Sequence, residues 1–307
     1  MLQEPPVRRK FLSPRCMPNL WKKDVVLGKG PPCQLHFDAG FYWYFKCGAP
    51  ALVSQQLATV DIVIPVLNEA HVLRKSVETV LQFLRTKLPY QWQLVIVDNG
   101  STDGTQQVAE QLTAEHTQVR FIHLTQRGRG RALRSAWLQS TADVVCYMDV
   151  DLSTRLDHLT ELLDSIAMDG YDIATGSRLM RESRTTRSFR REVISRFYNL
   201  LVKGVLLTKF SDAQCGFKAV GRRAVEAIVP KVEDQSWFFD TELLVLAEKQ
   251  GYRIKDIPVM WVEDDDSRVK IFKTGWEDVK GILRLRRQLW SQRLGTASTA
   301  NADRRQL

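Results

Sequence analysis

Between residues 60 and 148 short apolar runs alternate with segments of helical period, and this rhythm restricts the fold more than any other feature of the chain. Residues 60–67, 94–97, 119–124 and 144–148 read as buried strands, rich in Val, Ile and Leu. Residues 72–84, and segments near 105–112 and 131–139, return apolar side chains at helical spacing. Strands joined by helices in this order form a parallel sheet covered on both faces. The expected fold class is therefore α/β, with a mainly parallel central sheet. Beyond Asp149 the rhythm loosens. Helices are expected near 156–167, 192–207, 222–228 and 240–249, strands near 172–176 and 253–262, and an amphipathic helix from about 274 to 289.

The ends of the chain read differently. Prolines and glycines punctuate residues 1–58 too often for a long element, and the segment matches no recognised domain. Its aromatic run, Phe41 to Phe45, is read first as packing, with a partner patch or lipid contact as alternatives. Residues 59–290 form the expected domain, and the polar, small-residue tail 291–307 is expected to be flexible. Five scattered cysteines contain no C-x-x-C pair, so neither a zinc site nor a disulfide framework is indicated, and a reducing cytoplasmic setting follows. No apolar run approaches the roughly 20 residues of a membrane-spanning helix, and no signal peptide is visible, so membrane contact is expected to be peripheral. The net charge of +9 asks for an anionic partner. Nucleic acid, anionic lipid and a phosphorylated substrate would each satisfy it.

Ligands of open α/β sheets bind at the carboxyl ends of the strands, and three strand ends here carry carboxylates. The first is followed by Pro65, Asn68 and Glu69, the second by the run Asp98 to Gly104, the fourth by Asp149 and Asp151. Two carboxylates two residues apart suit one hard cation, Mg²⁺ or Mn²⁺, which would bridge a nucleotide's phosphates. The plain alternative makes Asp149 a turn residue and Asp151 a helix cap. Asp98 to Gly104 has the make-up of an Asx-type turn, with Asp98 also placed to accept from a base or ribose. Gly128 and Gly130 lack the third glycine of a dinucleotide fingerprint. Arg127, Arg129, Arg131 and Arg134 read as partners of phosphate or of acidic loops.

As a set, Pro65-x-x-Asn68-Glu69, Asp98-Asn99-Gly100-Ser101-Thr102-Asp103, the arginine–glycine loop and Asp149-x-Asp151 resemble glycosyltransferase family 2, with its GT-A fold. Gly176-Ser177-Arg178, the run Asp212 to Lys218, Phe239-Asp240-Thr241-Glu242 and Ser267-Arg268-Val269 resemble its dolichyl-phosphate and polyprenyl-phosphate branch. The resemblance implies that Pro65, Asn68, Glu69 and Asp98 line the nucleotide pocket, with Ser101 and Arg131 in the substrate-binding set. It implies that Asp149 and Asp151 hold a metal and the phosphates of the nucleotide–sugar. Arg178 and Arg268 would meet phosphate, and Gln214 and Gly216 would shape the sugar site. Asp240 would orient the sugar, or less favourably act as a base, and Glu242 would assist in binding. For both, a helix N-terminal charge is the plain alternative.

Arg181, Arg184, Arg187, Arg190, Arg191 and Arg196 fall beside or within an apolar helical stretch containing Val193, Phe197, Leu200, Leu201 and Val205. A basic amphipathic helix suits an anionic membrane interface; a core helix with a solvated basic end fits the periodicity equally. The last helix adds Lys273, Lys280, Arg284, Arg286 and Arg287. The combined expectation is an inverting, metal-dependent hexosyltransferase, with UDP-glucose as first donor and GDP-mannose as second. It would act on a polyprenyl phosphate at the cytoplasmic face of a membrane, with a separate membrane protein as a possible anchor and no nucleic acid partner. A family 2 enzyme with a soluble acceptor is the main alternative. A nucleic-acid binder would leave the strand-end carboxylates without purpose.

Overall fold

The computed structural model describes residues 34–38, 42–46, 58–263 and 271–303, with side chains placed for 58–263 and 275–291. The chain divides into two compact units, residues 1–56 and 57–307. In the first, β1 (Gln34–Asp38) pairs antiparallel with β2 (Tyr42–Lys46), Asp38 opposite Tyr42. The packing expected of the aromatic run 41–45 lies outside the described residues, as does Arg268.

The second unit opens with the alternation read from the sequence. β3 (Thr59–Val66), α1 (Ala70–Lys87), β4 (Gln91–Asn99), α2 (Thr105–Glu115), β5 (Val119–Leu124), α3 (Arg129–Gln139) and β6 (Val144–Met148) follow in order. After them come α4 (His158–Ala167), β7 (Ile173–Ser177), β8 (Arg184–Thr186) and α5 (Phe189–Leu206). The chain then forms β9 (Phe217–Gly221), α6 (Arg222–Ile228), α7 (Phe239–Lys249), β10 (Ile254–Pro258), β11 (Met260–Val262) and α8 (Ile271–Asp303).

Seven strands form one sheet in the order β10-β7-β9-β6-β3-β4-β5. β3 pairs parallel with β4 and β6, β4 with β5, and β10 with β7. β9 alone is antiparallel to its neighbours β6 and β7. No element is expected from the sequence over Phe217 to Gly221; in the structure it is a strand of the main sheet with Lys218 fully buried. β8 and β11 make a separate two-stranded ribbon. The single strand expected over 253–262 is two strands, β10 in the main sheet and β11 in the ribbon.

Side chains alternate between the two faces of each strand, and the core divides accordingly. Ile62, Ile64, Leu94, Ile96 and Cys146 meet Leu73, Val77, Val80 and Leu84 of α1, with Leu112 of α2 and Leu162 of α4. Val63, Val95, Val97, Val145 and Tyr147 meet Ala132 and Trp137 of α3, with Leu243 of α7 and Ile282 of α8. Each such side chain contributes about 1.5–3 kcal/mol on burial. α8 is longer than expected: it runs past residue 289 and through most of the tail to Asp303. Among the described residues no helix is long and apolar enough to cross a membrane.

Candidate active site

The carboxyl ends of β3, β4 and β6 carry the expected polar loops, and hydrogen bonds tie two of them together. Asn68 adopts a left-handed conformation with φ 56° just before α1. Its Oδ1 accepts from Thr102 N at 2.8 Å, and its own N–H donates to Ser101 Oγ at 2.8 Å. Glu69 N donates to Thr105 Oγ1, and Ala70 N to Asp103 Oδ2. Ser101 and Asp103 thus stitch the loop after β4 to the start of α1. Asp98 is fully buried, accepting from Ser101 N at 3.0 Å through Oδ1 and facing His123 Nδ1 at 2.9 Å through Oδ2. With both oxygens partnered and no exposed surface, Asp98 fixes the loop after β4 from within, while Pro65, Asn68 and Glu69 are half-buried.

The arginine–glycine loop serves a different purpose from phosphate cradling by glycines. Gly128 has φ 149°, its N–H donates to Asn99 Oδ1, and a Cβ there would strike Gln235 O. A Cβ on Gly130 would lie 2.6 Å from Phe239 Cβ, and Gly130 N donates to Ser236 O. Both glycines are required because the segment 234–239 is pressed against the start of α3. Arg131 N donates to Gln235 O in the same contact. Arg134 caps carbonyls at Pro230 and Val232 and is structural.

That close approach assembles a charged centre. Arg129 pairs with Asp149 Oδ1 at 2.6 Å and stands 4.0 Å from Asp240 Oδ2. Its guanidinium lies 5.1 Å from the Trp237 ring centroid and 5.3 Å from that of Tyr147. Asp240 Oδ1 receives the Tyr147 hydroxyl and lies 3.2 Å from Lys218 Nζ. Lys218 also donates to Cys215 O at 2.5 Å. Burial pushes the Asp149 carboxyl above its ordinary range while Arg129 pulls it down, and Asp151 and Asp240 add to the rise. Gly216 abuts Asp149 directly: a Cβ at that position would overlap Asp149 Oδ2. Register explains the meeting, because Met148 at the end of β6 stands opposite Phe217 at the start of β9.

Asp151 is exposed, and its Oδ1 accepts from Ser153 N at 3.0 Å, so it shapes a turn and does not cap α4, whose N-cap is Asp157. Asp149 and Asp151 offer the hard oxygen donors that Mg²⁺ or Mn²⁺ prefers. Among the described residues no group of three His, Cys, Asp or Glu side chains is arranged to hold a metal. A six-coordinate ion would therefore need ligands from a bound diphosphate and water, and the two aspartates fit that partial role.

Other expected residues lie apart from this centre or are committed to neighbours. Arg178 is nearly buried and forms a two-pronged pair with Asp212, Nε to Oδ2 at 2.8 Å and Nη2 to Oδ1 at 3.0 Å, with Trp261 stacked 5.7 Å away. Burial works against the charge on Asp212, yet the Arg178 pair overcomes it and holds that carboxyl at about 2. Glu242 is buried on another side of α7 from Asp240, where it accepts from Asp234 N at 2.9 Å and Arg284 Nη2 at 2.7 Å. Its place is the α7–α8 contact, away from the charged centre. Gln214 donates through Nε2 to Asp278 Oδ2 of α8. Arg129, Tyr147, His123, Lys218, Trp237 and Asp278 were absent from the expected substrate-contacting set. Two of them carried a signal, Arg129 as an arginine in a glycine-rich loop and Lys218 as the last residue of the run Asp212 to Lys218. Cys146 and Cys215 are buried free thiols, and burial pushes Cys215 up to about 12.

With this geometry in hand, comparison with known proteins is informative. Residues 61–229 match the sequence profile of the family described as glycosyl transferase family 2. The glycosyltransferase AglD of Haloferax volcanii is 38% identical over 226 residues, covering 73% of this chain; the chain spans 36% of the length of that relative. The dolichyl-phosphate beta-glucosyltransferase of Saccharomyces cerevisiae is 31% identical over 231 residues, 69% of each protein. Among solved structures, glucosyl-3-phosphoglycerate synthase from Mycobacterium tuberculosis, in complex with Mn²⁺, UDP and phosphoglyceric acid, superimposes with a TM-score of 0.58. That likeness, at 15% identity over 75% of this chain and 78% of the other, concerns the fold.

Proposed function

Because the chain belongs to glycosyl transferase family 2 and is a glycosyltransferase with the GT-A fold, we propose that it transfers a hexose from a nucleotide–sugar to a polyprenyl phosphate. UDP-glucose is the first candidate donor and GDP-mannose the second. Relatives named for dolichyl-phosphate glucosyl transfer, from yeast to mouse, favour this order.

The observation that carries the acceptor assignment is the state of Asp240. Its Oδ1 accepts from the Tyr147 hydroxyl and lies 3.2 Å from Lys218 Nζ, its Oδ2 stands 4.0 Å from Arg129 Nε without a hydrogen bond, and the residue is 4% exposed. A general base must reach the proton it removes, and this carboxylate is almost wholly buried, with Oδ1 already taken by the Tyr147 hydroxyl. An acceptor that is already an oxyanion needs orientation and no proton removal. A lipid phosphate meets that requirement, whereas a sugar hydroxyl does not.

The chemistry follows as an in-line displacement. An acceptor phosphate oxygen bonds to the anomeric carbon while the bond from that carbon to the nucleotide's terminal phosphate oxygen breaks, converting an α linkage to a β linkage. The loops joined by the Asn68–Ser101 stitch, fixed from within by Asp98, hold the nucleoside end. Asp240, through Tyr147 and Lys218, fixes the floor beneath the sugar. Arg129 is a cation within reach of the departing diphosphate once Asp149 is otherwise occupied. Mg²⁺ or Mn²⁺ held by Asp149 and Asp151 would offset charge on the leaving diphosphate. Arg178 offers Nη1, its one nitrogen without a partner among the described residues, to an incoming phosphate.

Surface character supports action at a lipid interface. On α5, Phe189, Val193, Phe197 and Leu200 form an exposed apolar stripe, while Tyr198, Val202 and Leu206 are buried on another side. Arg187, Arg191 and Arg196 are neutralised by Glu192 and Glu263, leaving Arg181, Arg184 and Arg190 without ion pairs among the described residues. On α8 the exposed stripe is Trp276, Lys280, Leu283, Arg287 and Trp290. Tryptophan alternating with Lys and Arg suits the headgroup layer of an anionic bilayer.

The deciding experiment supplies a panel of radiolabelled nucleotide–sugars, with Mg²⁺ or Mn²⁺, to polyprenyl phosphate in detergent. Labelled lipid from one donor, lost on chelation, is expected. Donor turnover with no lipid product would move the acceptor to a soluble molecule.

A further inference from the structure

α8 meets the loop 211–216 at one polar point. Asp278 is 3% exposed and shares its side of the helix with the buried Ile282 and Leu285. Its Oδ2 accepts from Gln214 Nε2 at 2.9 Å, and its Oδ1 is buried with no hydrogen-bond partner. No Lys, Arg or His pairs with it among the described residues. A buried carboxylate without a cation is costly. Burial pushes this carboxyl up to about 7, the Gln214 hydrogen bond works against the rise, and Asp234 before α7 and Glu277 on α8 add to it. Among the described residues, Tyr198 of α5 also faces it. An apolar residue would fill this position at lower cost, so the carboxylate points to a task outside core packing. Its one hydrogen bond reaches the loop whose end, Gly216, seats Asp149.

We propose that Asp278 is a positioning residue for sugar transfer, fixing the Gln214 carboxamide with its nitrogen toward α8 and its oxygen free to accept from a hydroxyl of the donor sugar. The proposal rests on the reading of residues 211–216 as the sugar side of the nucleotide–sugar site. An ionised carboxylate only accepts hydrogen bonds, so it dictates which end of the amide it faces. A protonated carboxyl can donate, and the amide is then free to turn over and present its NH₂ group instead. Gln214 Oε1 has no partner among the described residues, as this role requires. The same contact braces the loop, whose Ala213 and Gln214 amides donate to Asn199 and Asp212.

The test compares wild type with Asp278→Asn and Asp278→Ala. In the free protein, hydrogen exchange at the 213 and 214 amides is expected to rise about tenfold or more in Asp278→Ala and to change little in Asp278→Asn. In wild type, kcat/KM for the transferred nucleotide–sugar is expected to fall several-fold from about pH 8 to about pH 6, while the Kd of the bare nucleoside diphosphate stays constant. Asp278→Asn is expected to flatten that limb. Its melting temperature near pH 8 is expected to equal or exceed that of wild type, because an ionised buried carboxylate has been removed. Unchanged exchange in Asp278→Ala, or a wild-type acid limb in Asp278→Asn, overturns the proposal. Failure of the wild type to transfer any sugar in the panel instead sinks the transferase reading of the acceptor and donor, and the exchange measurement still decides the brace.

Discussion

At the residue scale, the site is a balance among the buried Asp240 and Lys218, the largely buried Arg129 and the part-exposed Asp149. Gly216→Ala tests the tightest contact, because the new methyl would occupy the volume of Asp149 Oδ2. The expected outcome is a loss of about 1–3 kcal/mol in stability together with at least a hundredfold fall in kcat/KM, read by thermal melting and donor kinetics. Arg129→Gln removes the partner of the part-exposed Asp149, while Asp240 keeps Lys218, and is expected to cost about 1–3 kcal/mol. The sign of its pH dependence can be worked out. Asp149 already has a folded-state carboxyl raised above its ordinary range, and Arg129 opposes that rise. Without Arg129 the folded carboxyl is raised further, so the native state binds more protons than the unfolded chain above the ordinary carboxylate range. Stability then falls as pH climbs through that window. The melting deficit of Arg129→Gln is therefore expected to be larger near pH 8 than near pH 5; an equal deficit at both would deny the coupling. Asp149 could be singled out from the sequence because a strand end announces its own first polar residue. Tyr147 and His123 could not, and Lys218 only as the end of a quoted motif without a role, because their value comes from partners far along the chain that only the sheet brings near.

At the scale of elements, the strands and helices of the first half were legible because period and burial agree there. β9 was not, since a buried lysine compensated by a carboxylate elsewhere looks, in sequence, like a solvated turn. The extent of α8 was hidden for another reason: its far end lacks apolar periodicity, and the outward stripe of Trp276, Leu283 and Trp290 reads as the same amphipathic signal that docks Ile282 and Leu285. The outward stripe has its own test. Trp276→Glu combined with Trp290→Glu is expected to reduce sedimentation with phosphatidylglycerol-containing vesicles about tenfold or more and to slow transfer to polyprenyl phosphate. Melting temperature is expected to stay within about 2 °C, as for exposed substitutions generally. Retained vesicle binding in that variant would remove α8 from the interface.

At the scale of the whole molecule, both hydrophobic clusters draw, among the described residues, on positions 60–289. A protein lacking residues 1–56 is expected to fold and melt within about 3 °C of the full chain, measured by calorimetry, and loss of cooperative melting would show that the first unit completes the second. The antiparallel strand β9, which carries Gly216 to the side of Asp149, also has a consequence in time. A ribosome finishes β3 through β6 well before β9 emerges, so the nascent chain can gather one half of a parallel sheet while its pocket has no floor. Capture of a nucleotide–sugar thus waits for the later half of the domain to be born, and an unfinished chain cannot compete with finished enzyme for substrate.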